Sequence, residues 1–389
     1  MLSHVRQTTL EETMCAKKQR RSVKKRQVAG NPAFDVGSFS NERIGDPVRC
    51  GVVGLGRIGW NHHCQIVMSH NGFELVAVCD LEEERVQEAQ KASGCRGYRD
   101  VGKLLQDKEV ELVVIATQSK DHEPMALRSS RAGKHVLVEK PAARTANGID
   151  RMNQASRKAK RLFTVHHNYR LNPEYLFVRE VVDSGVLGPV FRLRRRVGGF
   201  SRRNDWQTLS KYGGGMLGNW GVHLVDAGLQ FLRPPIVQVW GHLQHLFNPG
   251  DAEDDIKAVI QDKKGVVLDI EMTSVDASDQ PGWVVCGRWG TLWLQGKKAY
   301  MKRFDPKKIK KLKPNDLHYA PERRYGVIPG PDEIPWMEQE MAVEPKKQVQ
   351  SYYDRLYLSL RKKAPLLVTP ESARLTYEVL ARIRRGSGF

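Results

Sequence analysis

From Val48 onward the chain alternates short apolar runs with longer stretches whose apolar residues recur at helical spacing. The run Val48–Val53 leads into a glycine cluster and a helical pattern over 58–69, and the run Phe73–Cys79 ends at Asp80. Helical patterns over 81–92 and Val101–Gln106 follow, then a strand-like 112–116, a helix over 123–132 and a strand His135–Val138. Short apolar strands alternating with helices of this length predict parallel βαβ units and a doubly wound sheet. Beyond Arg170 the rhythm changes. A helix over 173–184 precedes strand-like runs at 190–197, 237–246, 257–261, 266–273 and 282–294, with few helices between them. That succession predicts a large, mostly antiparallel open sheet. One helix is expected after the glycine cluster at Gly213, and two more after Lys347 and Pro370.

The fold class is therefore α/β, with an N-terminal Rossmann domain over 47–169 and a C-terminal α+β domain over 170–389 for substrate binding and oligomerisation, its last helix packing back on the first. Residues 1–46 are polar, carry a basic run at 17–26 and show no sustained periodicity, which predicts a disordered tail. Met14 is an equally good start. Arg20 and Arg21 form a twin-arginine pair, but Ser22, Val23, Lys24, Lys25 and Arg26 stand where an export signal turns apolar. With no apolar stretch long enough to span a bilayer, a cytoplasmic protein without membrane contact is expected. The six cysteines show no C-x-x-C pair or zinc spacing, so reduced thiols and no metal site are expected.

The chain has 63 Lys and Arg against 44 Asp and Glu, a net charge of +19. Residues 1–47 hold nine basic and five acidic residues, so most of the excess lies on the folded part, with a dense run at 302–313. Neither basic run interleaves aromatics for base stacking, so nucleic-acid binding is disfavoured, and an anionic sugar is a milder use of the field.

Candidate chemistry begins at Gly54-x-Gly56-x-x-Gly59, with Arg57 and Ile58 between the last two glycines, set after a strand and before a helix. Glycines there permit a tight turn and close approach to a pyrophosphate at the helix N-terminus. Asp80 follows Gly59 by 21 residues, at the end of the second strand, where its carboxylate accepts from a ribose 2′-hydroxyl and repels a 2′-phosphate. NAD is the expected cofactor, with NADP left open by Arg85 and Lys91. Glu139-Lys140-Pro141 ends a strand on the ligand-binding edge of the sheet, and residues 213–226 form a glycine-rich segment carrying Asn219, His223 and Asp226.

These three motifs, in this order and at these separations, resemble the glucose-fructose oxidoreductase, inositol dehydrogenase and MocA family, and the resemblance runs from Val48 to the C-terminus. It implies an NAD(P)-dependent oxidoreductase that moves a hydride between the nicotinamide and a secondary hydroxyl or carbonyl of a sugar, sugar derivative or cyclic polyol. It implies that Lys140 reaches the reacting hydroxyl, that Glu139 lies near the nicotinamide ribose and that His223 is the acid/base. It also implies that Thr117 and His122 pass the cofactor ribose, and that the segment His167, Asn168, Tyr169 and Arg170 hands the chain to the substrate domain. Asn168 is then a cofactor residue, Tyr169 and Arg170 substrate residues, and the assembly a homodimer or homotetramer. The sequence departs from the family at Gln118, where proline is usual, and at Asn219, where many members carry aspartate. Asparagine bonds a hydroxyl but cannot stabilise an imidazolium as a carboxylate does. Asp226, three residues after His223, either supplies that charge or is structural. Trp206, Tyr212 and Trp220 either line a sugar site or belong to the core, and Arg202, Arg203 and Asp205 are further loop candidates for substrate contact. Alternatives are an NAD-dependent glycosidase-type enzyme using transient oxidation, and a catalytically idle NAD-binding protein.

Overall fold

The computed structural model describes residues 45–314, 333–344 and 350–389. The expectations for the basic tail, its twin arginines and Met14 lie outside those residues.

Six parallel strands make the first sheet: β1 (Val48–Val53), β2 (Phe73–Cys79), β3 (Arg96–Tyr98), β4 (Leu112–Ile115), β5 (His135–Val138) and β6 (Phe163–Val165), in the order β3-β2-β1-β4-β5-β6. Helices cover both faces, which is why β4 reads as an unbroken apolar run and β1 as one interrupted only by Arg49. The order reverses between β1 and β4, opening a crevice above their carboxyl ends. The helix expected over 58–69 runs from Gly59 to Ser69, its first turns π-wound. The sequence pattern did not yield β3, β6 or the helix Ala146–Lys158.

Eight strands form the second sheet: β7 (Val190–Gly198), β8 (Ile236–Gln244), β9 (Asp255–Asp262), β10 (Val267–Thr273), β11 (Trp283–Gly287), β12 (Gly290–Gln295), β13 (Lys298–Arg303) and β14 (Met337–Ala342). Their order is β14-β13-β12-β11-β7-β10-β9-β8, antiparallel except where β7 runs parallel to β10. The single strand expected over 282–294 is corrected to the hairpin β11–β12, because Gly287 and Gly290 frame a tight turn at Arg288 and Trp289. Strict alternation in β9 buries Ile256, Ala258 and Ile260 on one face. Against that face lies the helix Val222–Leu229, every residue of which is buried.

The last helix, Pro370–Arg384, starts at a Thr369 cap with proline in its first turn. Its Tyr377 hydroxyl accepts from the Ala142 N–H at 2.6 Å and Arg374 pairs with Asp150 at 3.0 Å, tying it to the nucleotide half. The preceding helix, Tyr352–Lys362, does the same through Tyr352, whose hydroxyl donates to Val165 O, and Arg361, which reaches Glu111.

Candidate active site

The glycine turn is shaped by contacts no other residue tolerates. Gly54 has φ +90°, and a β-carbon there would lie 2.7 Å from the Ala116 carbonyl oxygen. A β-carbon on Gly59 would lie 1.8 Å from the Gly54 carbonyl, so the turn and the helix start close on each other. Gly56 is different: a β-carbon there meets nothing within 4 Å. The protein leaves room over Gly56, beside a helix N-terminus.

Asp80 ends β2 with Oδ2 accepting from the Leu55 N–H at 2.6 Å and Oδ1 from the Glu82 N–H at 3.0 Å, and Arg85 stands 3.6 Å away. Ile58 is exposed at the turn. Arg57 reaches across the cleft to Asp205 at 3.6 Å, and Arg203 grips the same carboxylate through two bonds of 3.0 and 2.7 Å. Arg202 instead lies over the Phe247 ring. At the end of β4, the half-buried Thr117 offers its carbonyl to His122 Nε2 at 3.0 Å, while His122 Nδ1 lies 2.8 Å from the Pro141 carbonyl. With both ring nitrogens turned to backbone carbonyls, His122 is a strut between two strand-end loops, which corrects its expected contact with a ribose.

At the end of β5, Glu139 is buried beneath the crevice floor. Its Oε1 accepts from His63 Nε2 at 2.9 Å and His166 Nδ1 at 2.6 Å, and its Oε2 from the Lys140 N–H at 3.1 Å. Burial alone would raise this carboxyl, but the two histidines hold it well below the usual carboxylate range. Tyr353 bonds the other side of His63 at 2.7 Å. His62, His63 and His166 bring one nitrogen each within 4.8 Å of one another. The sequence reading passed over His62, His63 and His166, although the His-His pairs at 62–63 and 166–167 were signals of it.

Lys140 turns the other way, into the cleft. Its Nζ donates to the Asn219 carbonyl at 2.9 Å and to Asn219 Oδ1 at 3.1 Å, and Asn219 Nδ2 donates to Gln207 Oε1 at 2.8 Å. Burial pushes the ammonium below its ordinary value; Glu139 opposes this, and Arg203 and Arg57 add to it. Asn219 lies in the π-wound turn Leu217–Gly221 that runs into the helix Val222–Leu229, and one turn on His223 is buried and stacked on Tyr169 with ring centroids 4.2 Å apart. Its Nδ1 has no hydrogen-bond partner among the described residues. Burial first, then the Lys140 charge, hold this imidazole well below its ordinary value. Trp220 packs edge-on to both Tyr169 and His223, so it belongs to this wall. Trp206 and Tyr212 are half-buried in the loop before Gly213, and Asn168 opens the turn Asn168–Leu171.

One open alternative is decided and one expected role corrected. Asp226 does not serve His223: Arg170 takes both its oxygens at 2.8 and 2.7 Å, and Thr376 donates to Oδ1 at 2.9 Å. Arg170 is correspondingly buried, with its remaining bond to the Leu367 carbonyl, and is not placed for substrate. The pair is a clasp joining three chain segments. Arg170→Met would leave a buried carboxylate without its countercharge, so a loss of about 3–5 kcal/mol in urea unfolding is expected; a loss near zero would refute the clasp.

Among the described residues no helix is long and apolar enough to cross a membrane, and Cys50, Cys64, Cys79, Cys95 and Cys286 are free thiols.

Comparison with known proteins agrees with this architecture. Residues 48–167 match the family model described as oxidoreductase family, NAD-binding Rossmann fold, and residues 175–293 match the C-terminal domain model of the same family. The chain is 32% identical over 227 residues to inositol 2-dehydrogenase 2 of Saccharopolyspora erythraea, covering 57% of this chain and 65% of that protein. It is 29% identical over 235 residues to the NAD(+)-dependent scyllo-inositol 2-dehydrogenase of Bacillus subtilis, covering 58% and 66%. The chain spans between 43% and 66% of the length of the curated relatives it matches. The solved structure of an NAD-binding protein from Listeria innocua superposes with a TM-score of 0.75 over 88% of this chain and 98% of that one, at 23% identity, a likeness of fold.

Proposed function

This chain belongs to the glucose-fructose oxidoreductase, inositol dehydrogenase and MocA family, and from that premise we propose that it transfers a hydride between NAD(P) and a secondary hydroxyl or carbonyl carbon of a sugar, sugar derivative or cyclic polyol. One observation carries the reading: Lys140, at the sheet edge where nucleotides bind, is held against the same helical segment that presents His223.

The residues fit the cofactor. Gly54, Gly56 and Gly59 make the turn for the pyrophosphate, with free space over Gly56, and Asp80 is the acceptor for the adenosine ribose. Asp80 favours NAD, and Arg85 beside it is the group that would accommodate a 2′-phosphate. When bound, the nicotinamide supplies the two-electron hydride acceptor or donor. Lys140 spends two of its three donors on Asn219 and has the third for the reacting oxygen. His223, kept neutral by its surroundings, takes the hydroxyl proton on oxidation and returns it on reduction. Tyr169 and Trp220 wall the imidazole and limit its movement.

The pH dependence follows with a definite sign. Both groups are destabilised in their charged forms. His223 therefore stays an acceptor below 6.5, and Lys140 loses its proton below 10.5. The profile of kcat/KM is expected to have its acid limb below the first value and its alkaline limb below the second.

The test is reduction of NAD or NADP, followed by the absorbance of the reduced nicotinamide, against inositols, aldoses, uronates and anhydrosugars. Turnover with one of these classes supports the proposal. Tight NAD binding with no reduction on any of them would refute it.

A further inference from the structure

Asparagine and aspartate differ at position 219 in a way that makes orientation matter. A carboxylate offers the same atom to a lysine whichever way it turns. An amide offers an acceptor on one side and two donors on the other, and a donor facing an ammonium loses the bond and adds repulsion. Something must therefore fix the Asn219 side chain with its oxygen toward Lys140.

We propose that Gln207 is that positioning residue: by accepting from Asn219 Nδ2 at 2.8 Å it holds Asn219 Oδ1 against the Lys140 ammonium, and so sets the pH range over which Lys140 is charged. The inference rests on the reading of Lys140 above as the group that meets the reacting oxygen. Lys has no acceptor, so its 3.1 Å contact assigns oxygen to that side of the amide and nitrogen to the Gln207 side. Gln207 is itself anchored at both backbone groups. Its N–H donates to Asp205 Oδ1 at 3.2 Å and its carbonyl accepts from the Gly215 N–H at 2.9 Å. The side chain thus reaches Asn219 from a fixed base, between the Asp205 cap and the glycine-rich segment.

The other charged groups acting on Lys140 stay the same when Gln207 changes. Glu139 adjoins it just past the end of β5, Arg57 comes from the glycine turn, Arg203 from the loop before Gln207, and His223 from the helix Val222–Leu229. Loss of the Asn219 acceptor removes stabilisation of the ammonium alone, so Lys140 should release its proton at lower pH.

The experiment reads Lys140 directly, with no substrate needed. The full chain is acetylated with trace acetic anhydride across a pH series, and the Lys140 peptide is quantified by mass spectrometry, since only the neutral amine reacts. In Gln207→Leu the titration midpoint of Lys140 is expected to move down, raising its labelling by roughly tenfold at a fixed pH below the midpoint. Gln207→Glu keeps an acceptor for Asn219 Nδ2 and should restore the midpoint to the wild-type value or above it. In an Asn219→Asp background, where no orientation need be held, Gln207→Leu should leave the midpoint nearly in place. An unchanged midpoint in Gln207→Leu would overturn the proposal, as would an equal shift in both backgrounds. Failure of the oxidoreductase reading shows separately, as absence of nicotinamide reduction by the wild type.

Discussion

Lys140→Ala is expected to lower kcat by about 100- to 10,000-fold while the protein still binds NAD, because it removes the donor aimed at the reacting oxygen and leaves the glycine turn intact. The lysine side chain contributes little to holding the fold: its bonds go to one residue, Asn219, whose side chain keeps Gln207 as a partner after the change. The loss should therefore appear in turnover, with calorimetric NAD affinity within a few-fold of wild type. Lys140→Arg should not rescue, since a guanidinium is larger and cannot place a single donor in the same spot. Activity in Lys140→Ala above a tenth of wild type would remove the lysine from the chemistry and shift the reaction onto His223 alone.

A second large effect separates the glycines from each other. Gly56→Ala should fold as well as wild type, because the added methyl meets no protein atom within 4 Å, yet its NAD affinity should fall at least about tenfold as the methyl occupies the space left for the pyrophosphate. Gly59→Ala should do the reverse in order of cause. Its methyl would sit 1.8 Å from the Gly54 carbonyl, so the turn itself must move, with an expected stability loss of about 1–3 kcal/mol and loss of the cofactor as a result. Thermal melts and NAD titrations of the two variants distinguish these outcomes. Wild-type affinity in Gly56→Ala would mean that the phosphates do not pass over that residue.

The parts of the fold legible in the sequence are those in which one local pattern carries the whole signal. β1 and β2 are mostly apolar, broken only by Arg49 and Glu74 near their starts, because both faces are covered, and the fingerprint between them has Gly54 and Gly59 where backbone meets backbone. β3 and β6 are three residues each, too short for a period to show. The helix Ala146–Lys158 buries little beyond Gly148, Ile149, Met152 and Ser156, so its sequence reads as polar although Thr145 caps it. The site divides in the same way. Lys140, Asn219 and His223 stand in motifs, and the fold sets Lys140 against Asn219 in the helical segment that carries His223. Asp226 shares their motif, but its partner is 56 residues earlier, and no helical spacing reveals which of two neighbours a carboxylate faces. Gln207 lies in an irregular loop twelve residues from Asn219, and only the folded chain shows that they touch.

The two closing helices bear on the order in which the protein can be made. Tyr352 and Tyr377 place their hydroxyls on backbone groups at Val165 and Ala142, and Arg361 and Arg374 bond Glu111 and Asp150, all within the nucleotide half. A ribosome emits that half before these four side chains, which lie 187 to 250 residues further along the chain than the groups they bond. Until then the Ala142 amide lacks its hydrogen-bond acceptor and the apolar side of Ala146–Lys158 its cover. The nucleotide-binding half is therefore complete only once the second sheet has been synthesised and the last helix has come back to close it.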